Sequence, residues 1–209
     1  MKASSFFATI LAFVAAAVAR DEGTPATSEP TSPVDVPEGY TLAPMTWKGN
    51  ITVDGPEVSF TGTSFQEIEY QILQANPDFK WPEVTGNGTT DASDVNKAKA
   101  WTTCTPNGVW WAQQFRIEEG IEYLRGKTGR CHMVAGPRVC TRISCSYKSG
   151  IWWCNDQPND LWIDCSLWAD YASDILDKCQ SHDDSVRVRG QQFATDDWNM
   201  IVGFTDLYC

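Results

Sequence analysis

Eight cysteines constrain this chain of 209 residues more than any other feature, because all of them lie from Cys104 onward. An even number of cysteines in a chain that carries a secretion signal implies four disulfide bonds, and the sequence leaves their pairing open. A zinc site is a poor alternative, since the chain has no Cys-x-x-Cys pair and only two histidines. The eight are Cys104, Cys131, Cys140, Cys145, Cys154, Cys165, Cys179 and Cys209.

The stretch from Val139 to Asp156 holds three of these cysteines and predicts a β-hairpin. One strand runs from Val139 to Tyr147, a turn follows at Lys148-Ser149-Gly150, and a second strand runs from Ile151 to Cys154. Alternation divides the first strand into two faces. One face carries Val139, Thr141, Ile143, Cys145 and Tyr147, and the other carries Cys140, Arg142, Ser144 and Ser146.

The first 44 residues predict a signal peptide followed by a linker. Residues 1–19 combine Lys2, an apolar run and the small-residue cleavage site Ala17-Val18-Ala19. Residues 20–44 are rich in Ser, Thr and Pro and predict a disordered linker. No other apolar run approaches the ~20 residues of a membrane span. We therefore expect a secreted, extracellular protein whose single domain covers residues 45–209, with a cysteine-rich core at 104–209.

The charge balance argues against two classes of partner. The chain has 16 basic and 27 acidic side chains, for a net charge of −11. Such a balance opposes binding to nucleic acid and to anionic membrane surfaces. Arg187 and Arg189 are candidates for a local basic patch, although solvated strand residues are the simpler interpretation. We expect a monomer whose partner is an extracellular protein or glycan.

Apolar periodicity predicts three helices. The first runs from Ser64 to Ala75 with a capping box formed by Ser64 and Glu67, the second from Trp110 to Leu124, and the third is capped by Asp164 or Ser166. Their buried faces comprise Phe65, Ile68, Ile72 and Leu73; Trp110, Ile117, Ile121 and Leu124; and Trp168, Tyr171, Ala172, Ile175, Leu176 and Cys179. Strands are predicted at 47–53, 57–60, 186–193 and 198–204. The fold class is therefore α+β, a disulfide-stabilised two-layer sandwich with helices packed on an antiparallel sheet.

This arrangement suggests one specific disulfide. Cys179 lies on the buried face of the third helix, and Cys145 shares a strand face with Val139 and Ile143. If that face of the hairpin meets the helix, Cys145 and Cys179 come within bonding distance. We take a Cys145–Cys179 bridge as a hypothesis.

Four of the ten tryptophans are candidates for contact with a partner. Trp152 and Trp153 are neighbours on one strand, so they face opposite ways and are both buried only if both faces of the sheet are covered. The simpler hypothesis places one in the core and the other beneath a helix, loop or disulfide. The alternative is an exposed aromatic platform for a partner or glycan. Trp110 and Trp111 raise the same question.

Two tripeptides match the acceptor sequence for N-glycosylation, Asn50-Ile51-Thr52 and Asn87-Gly88-Thr89. Both lie in turn-like surroundings, and a signal peptide gives them access to the glycosylation machinery. Asn87 is the stronger candidate because it lies in a Gly/Thr-rich stretch.

The sequence contains no nucleophile elbow, phosphate-binding glycine loop, His-Glu-x-x-His motif or Cys/His nucleophile arrangement. We therefore predict no catalytic residue, no metal ligand, no cofactor and no enzymatic activity. His132 and His182 are expected to be solvated. A hydrolase would need two carboxylates facing each other across a cleft. The candidates are Asp156, Asp160, Asp164, Asp196 and Asp197, although an acidic chain has such neighbours everywhere.

Several stretches resemble small secreted cysteine-rich proteins of filamentous fungi. They are GIEYLRGKTG, CTRISCSYKSGIWWCND, ADYASDILDKC, VRGQQF and WNMIV, preceded by GPEVSFTGTSFQEIEYQI and NPDF. The resemblance covers Met45 to Cys209, and its later half is similar to the fungal necrosis-inducing extracellular effector domain and, through it, to killer toxins with a two-layer α/β sandwich. Cys131 and Cys165 depart from that pattern, and a bridge between these two is one pairing that the departure allows.

The resemblance implies a non-enzymatic secreted fungal effector or toxin-like protein that acts on a host or competitor. Residue composition by itself does not indicate this function. The alternatives are a cell-wall carbohydrate-binding protein, which would use exposed tryptophans, and a secreted hydrolase.

Overall fold

The computed structural model describes residues 36–82, 99–206 and Cys209. The predicted signal peptide, residues 20–35 of the predicted linker and the Asn87 sequon lie outside the described residues. The described chain holds three helices, α1 (Phe65–Ala75), α2 (Gln114–Leu124) and α3 (Leu167–Cys179). Its strands are β1 (Thr41–Leu42), β2 (Met45–Asn50), β3 (Glu57–Gly62), β4 (Lys99–Thr103), β5 (Ala112–Gln113), β6 (Arg130–Met133), β7 (Val139–Ser146), β8 (Ser149–Asn155), β9 (Leu161–Asp164), β10 (Arg187–Val188), β11 (Gly190–Ala194) and β12 (Trp198–Phe204).

The strands form two main sheets and one short pair. Six strands are ordered β1-β7-β8-β12-β11-β4, four are ordered β3-β2-β6-β9, and β5 pairs with β10. Every pairing between these strands is antiparallel except that of β1 with β7. Helices α2 and α3 pack on the six-stranded sheet, while α1 contacts β2, β3 and β7. The predicted α+β class is confirmed, with strands β1, β4, β5, β6 and β9 added to those that the sequence indicated.

The predicted hairpin is present as β7–β8, but its details differ from the prediction. The turn is Tyr147-Lys148 rather than Lys148-Ser149-Gly150, because Ser146 already pairs with Ser149. A bulge between Arg142 and Ser144 interrupts the alternation of β7. Beyond a bulge the side chains of a strand change faces. Cys145, opposite Gly150, therefore shares a face with Cys140 and not with Val139.

Four disulfides are formed, as the cysteine count predicts: Cys104–Cys179, Cys131–Cys165, Cys140–Cys154 and Cys145–Cys209. The hypothesis of a Cys145–Cys179 bridge is wrong, because the bulge turns Cys145 away from α3. The Cys131–Cys165 bridge does form, and it joins β6 to the short link between β9 and α3. Cys140–Cys154 ties the two strands of the hairpin together, and Cys145–Cys209 fastens the last residue to it.

The helices follow the predicted pattern with two exceptions. Ser64 caps α1 by accepting a hydrogen bond from the Glu67 amide at 3.3 Å, and the Glu67 carboxylate accepts from the Thr63 amide at 2.7 Å. Leu73, predicted to be buried, is exposed. The second helix begins at Gln114 instead of Trp110, because Ala112 and Gln113 extend to pair with β10. Trp110, predicted to lie on the buried face of this helix, is therefore outside it and is exposed.

Strand β8 is buried along its whole length because both faces of the sheet are covered. On the helix side, Trp153 contacts Trp168 of α3 at a ring-centroid distance of 5.7 Å. On the other side, Trp152 packs in a small second core. That core contains Val109, Cys140, Trp152, Cys154 and Ile201, with Val36 and Tyr40 against it.

Residues 36–44, which the sequence assigned to the disordered linker, are therefore part of the fold. The Thr41 amide donates to Arg138 O and the Ala43 amide donates to Cys140 O, both at 2.9 Å, so this segment adds a parallel strand to β7. The Tyr40 hydroxyl meets two side chains of β11 and β12, accepting from Gln191 at 3.1 Å and from Asn199 at 3.2 Å. These bonds hold the segment over Trp152.

Asp156 completes this polar network beneath the covering segment. Its carboxylate accepts from Asn199 at 2.7 Å and from the Tyr40 hydroxyl at 3.3 Å. Burial raises the pKa of Asp156, and the hydrogen bonds from Tyr40 and Asn199 offset only part of that effect. The hydrolase candidate Asp156 thus has a structural role in fastening residues 36–40 to the sheet.

A partly buried ion pair joins α1 to the turn after α2. Lys127 donates to Glu69 at 2.6 Å and lies between the rings of Trp81 and Tyr123, 4.7 and 4.2 Å from their centroids. Tyr123 and Trp81 also donate to the Glu69 carboxylate, at 2.7 and 2.6 Å. Burial raises the pKa of Glu69, but the hydrogen bonds from Lys127, Tyr123 and Trp81 outweigh it and leave the pKa below its usual value.

We predict that Glu69→Gln lowers the free energy of unfolding at pH 7 by about 2 kcal/mol, because it leaves the Lys127 charge without its counterion. The folded pKa of Glu69 lies below its unfolded value of about 4.3. Its contribution is therefore complete above that value and is lost as the pH falls through the folded pKa. Urea unfolding at pH 7 and pH 3 should show the difference shrinking in acid.

The exposed Glu122→Gln is the control for this experiment, since Glu122 pairs with Arg125 at the surface. It should change stability by less than about 0.5 kcal/mol at either pH. A Glu69→Gln deficit of the same size at pH 7 and pH 3 would contradict the account.

Candidate functional site

The four candidate tryptophans differ in their exposure to solvent. Trp152 and Trp153 face opposite ways, as alternation predicts, and both are buried, at 1 % and 0 % exposure. Neither side chain can contact a partner, so the prediction of an aromatic platform at Trp152 and Trp153 is wrong. The covering segment 36–40 and the loop that contains Val109 occupy the space above Trp152. Trp110 is 68 % exposed and Trp111 is half-buried.

Trp110 and Trp111 lie between the loop 105–109 and strand β5. The Trp110 carbonyl accepts from the Phe204 amide at 2.9 Å, which fixes this stretch to the end of β12. The guanidinium groups of Arg189 and Arg187 lie 4.7 and 5.9 Å from the Trp111 ring. Arg189 also donates to the Val109 carbonyl at 3.0 Å. The two arginines are thus held against an indole, and the interpretation as solvated strand residues fails for Arg189.

The tip of the β7–β8 hairpin lies beside this stretch. Tyr147 is 67 % exposed, and its ring is 3.9 Å from the guanidinium of Arg116 on α2. The same guanidinium lies 4.5 Å from the ring of Phe115. Lys148 lies 5.8 Å from the ring of Phe204, and the Thr205 amide donates to the Lys148 carbonyl at 3.0 Å. The hairpin tip and the end of β12 therefore form one surface with Trp110.

We call this surface the aromatic–cationic edge. It comprises Trp110, Trp111, Phe115, Arg116, Tyr147, Lys148, Arg187, Arg189 and Phe204. Five aromatic rings and four cations meet here in a chain of net charge −11. Arg116 also pairs with Glu119 on the same helix, at 2.8 Å. Trp, Tyr and Arg are the residues that dominate the energetics of protein interfaces.

The hairpin tip is also strained. Tyr147 and Lys148 have φ angles of +45° and +61°, the left-handed values of a type I′ turn, for which Asn-Gly is the favoured pair. The disulfide Cys145–Cys209 and a hydrogen bond from the Tyr147 amide to the Cys209 carbonyl, 3.3 Å long, hold the tip in place. Strain of this kind concentrates at sites used for function.

Only two of the five candidate carboxylates, Asp164 and Asp196, line the same cavity. Asp156 belongs to the network at Tyr40, and Asp197 occupies a turn with a φ of +54°. The hydrogen bond between the Asp160 carboxylate and the His132 ring nitrogen lowers the pKa of Asp160, and the hydrogen bond that it accepts from the Ala135 amide lowers it further. Asp164 and Asp196 line one cavity of about 210 Å³.

The remaining site predictions concern metals, glycans and membranes. Within residues 36–82 and 99–206 no three His, Cys, Asp or Glu side chains come together as a metal site. The prediction that His132 is solvated is wrong, because its side chain is only 18 % exposed and lies against Trp162, whereas His182 is exposed as predicted. Asn50 is exposed, lines a cavity of about 430 Å³ and donates to the Gly55 carbonyl at 2.6 Å. None of the three described helices has both the length and the apolar character of a bilayer-spanning segment.

Sequence reasoning missed most of the edge. Phe115, Arg116, Tyr147 and Phe204 come from three elements that only the tertiary fold brings together. Tyr147-Lys148 did carry a signal, since two bulky residues in a hairpin turn contradict local preference. Comparisons of the chain with protein-family models, with curated proteins and with solved structures found no match.

We predict that Lys148→Gly is more stable than Lys148→Ala by about 1 kcal/mol. Both variants remove the contact with Phe204, but only glycine adopts a positive φ without steric cost, which outweighs its greater entropy in the unfolded chain. Urea unfolding of the two variants measures the difference. Equal stability, or a more stable alanine variant, would show that the tip is not strained.

Proposed function

We propose that this chain is a secreted, disulfide-stabilised and non-enzymatic fungal effector or toxin-like protein that binds an extracellular protein partner through the aromatic–cationic edge. The observation that carries the proposal is the edge itself, where the two most exposed rings, Trp110 and Tyr147, lie among cationic side chains. Large exposed aromatic groups beside arginines are typical of binding surfaces. The two-layer sandwich and the secretion implied by the fungal resemblance belong to the same proposal.

The charge of the edge indicates the chemistry of the partner. Lys148, Arg187 and Arg189 bring three cations to the edge, and Arg116 adds a fourth that is paired with Glu119, whereas the chain as a whole is acidic. A partner that presents carboxylates beside apolar groups complements this surface, and charge complementarity favours specificity and fast association. Nucleic acid and anionic membranes also carry negative charge, but the net charge of −11 repels such extended polyanions.

Rigidity also supports binding by the edge. Two of its parts are fixed by covalent or backbone bonds, the hairpin tip by Cys145–Cys209 and the Trp110 stretch by the Phe204 amide. A surface that is already ordered before binding loses little conformational entropy on association. Four disulfides and the predicted signal peptide favour an extracellular site of action.

The test is the response of living cells to purified protein. We expect wild-type protein either to provoke a response after infiltration into plant leaf tissue or to inhibit growth of a competing fungus. The double variant Trp110→Ala/Tyr147→Ala should need a concentration at least about tenfold higher, as expected when two interface anchors are lost.

The control is Tyr70→Ala/Leu73→Ala, which removes two exposed apolar side chains from α1, away from the edge. This control should act like the wild type. Equal activity of the edge variant and the wild type would contradict the role of the edge, and no response in either assay would contradict the effector function. Release of shorter sugars from neutral glycans would contradict the non-enzymatic part.

A further inference from the structure

The second surface of interest lies on β9, which is an edge strand of the four-stranded sheet. Trp162 points away from the core and is 44 % exposed, whereas its neighbours Leu161 and Ile163 are buried. The indole is supported from one side, because the ring of His132 on β6 contacts it at a centroid distance of 4.6 Å, with the two ring planes tilted by 34°. Asp160 holds His132 by a 3.1 Å contact to Nε2. Trp162 is therefore an aromatic platform in a fixed position.

Charged groups surround this platform. Arg130 and Asp164 face each other across β6 and β9, on the same side of the sheet as the pair His132 and Trp162. Asp196, from the turn between β11 and β12, lines the same cavity as Arg130, Asp164 and Trp162. Each of these three charged residues is exposed. One guanidinium and two carboxylates thus border a single indole.

This combination selects a class of ligand. Two carboxylates and one guanidinium give the cavity a net charge of −1, which disfavours anionic ligands such as uronic acids and phosphates. A polyhydroxylated ring satisfies all three groups, because each hydroxyl both accepts from a guanidinium and donates to a carboxylate. The apolar C–H face of such a ring packs on an indole. The chemistry therefore fits a neutral or amine-bearing sugar.

The size of the cavity limits how much of a glycan it encloses. Its volume of about 210 Å³ is below the roughly 300–1,000 Å³ of sites that enclose a drug-sized molecule. Buried Trp198 and Ile163 close its floor, together with Leu167 at the start of α3. The cavity therefore admits one sugar ring and leaves the rest of the chain outside.

We propose that the cavity bordered by Trp162, Arg130, Asp164 and Asp196 binds one ring of a neutral or amine-bearing polysaccharide. This site is separate in sequence and strand position from the aromatic–cationic edge and does not depend on the function proposed for that edge. The sugar-binding indole in this proposal is the exposed Trp162, and not Trp152 or Trp153, which are buried.

The experiment is isothermal titration of the full-length secreted protein with three probes: hexamers of N-acetylglucosamine, hexamers of glucosamine and hexamers of β-1,3-linked glucose. We expect binding of at least one of them and no binding of oligogalacturonate, which is anionic. Trp162→Ala should weaken binding roughly tenfold, because it removes the stacking face. Asp196→Ala, in a surface turn, should weaken it as well without disturbing β9.

The matched control is Trp101→Ala, which removes another exposed indole, stacked on Phe193 at the edge of the six-stranded sheet. Trp101→Ala and Trp110→Ala should bind the hexamers like the wild type. Urea unfolding of each variant separates loss of binding from loss of the fold. The proposal is overturned if the wild type binds no neutral or amine-bearing hexamer, if it binds oligogalacturonate equally well, or if the folded Trp162 and Asp196 variants bind unchanged.

Discussion

The burial of strand β8 on both of its faces is the constraint on which this structure depends. Trp152 and Trp153 point in opposite directions, so no single layer of helices can cover both. Helices α2 and α3 cover the Trp153 side. The Trp152 side is covered by short irregular segments around Tyr40 and Val109, and these cannot be held by apolar contact alone because they are small.

The covering segments explain both the polar interior and the exposed edge. The network of Tyr40, Asp156 and Asn199 fastens one segment, and Arg189 fastens the other through the Val109 carbonyl. The residue after Val109 in that second segment is Trp110, whose backbone is bonded to β12 and whose side chain is exposed. Covering one tryptophan thus places another at the surface. The loop that contains Val109 and Trp110 therefore both covers Trp152 and contributes an exposed ring to the aromatic–cationic edge.

Local sequence patterns predicted the features of the fold that depend on residues close together in the chain. The cysteine count, the amphipathic faces of α1 and α3, and the opposite orientation of Trp152 and Trp153 followed from composition and period. The bulge before Ser144 could not be foreseen, and it alone redirected Cys145 from Cys179 to Cys209. Local patterns also could not predict the two candidate binding sites.

Both candidate surfaces join residues from separate elements. Trp162 belongs to a four-residue strand that the local pattern did not predict, and Arg130 reaches it only through the pairing of β6 with β9. The aromatic–cationic edge likewise depends on β5 pairing with β10, which carries Arg187 to Trp111. Such pairings are long-range, so no window of sequence contains them.

Oxidative labelling of the tryptophans in the native, disulfide-intact protein tests the central claim most directly. Peptide mass spectrometry after brief exposure to hydroxyl radicals should find Trp110 and Trp162 modified and Trp152 and Trp153 protected, with all four reactive after denaturation and reduction. Modification of Trp152 as fast as that of Trp110 in the native protein would mean that the second face of β8 is open. That result would contradict both the covering segments and the placement of the binding surface.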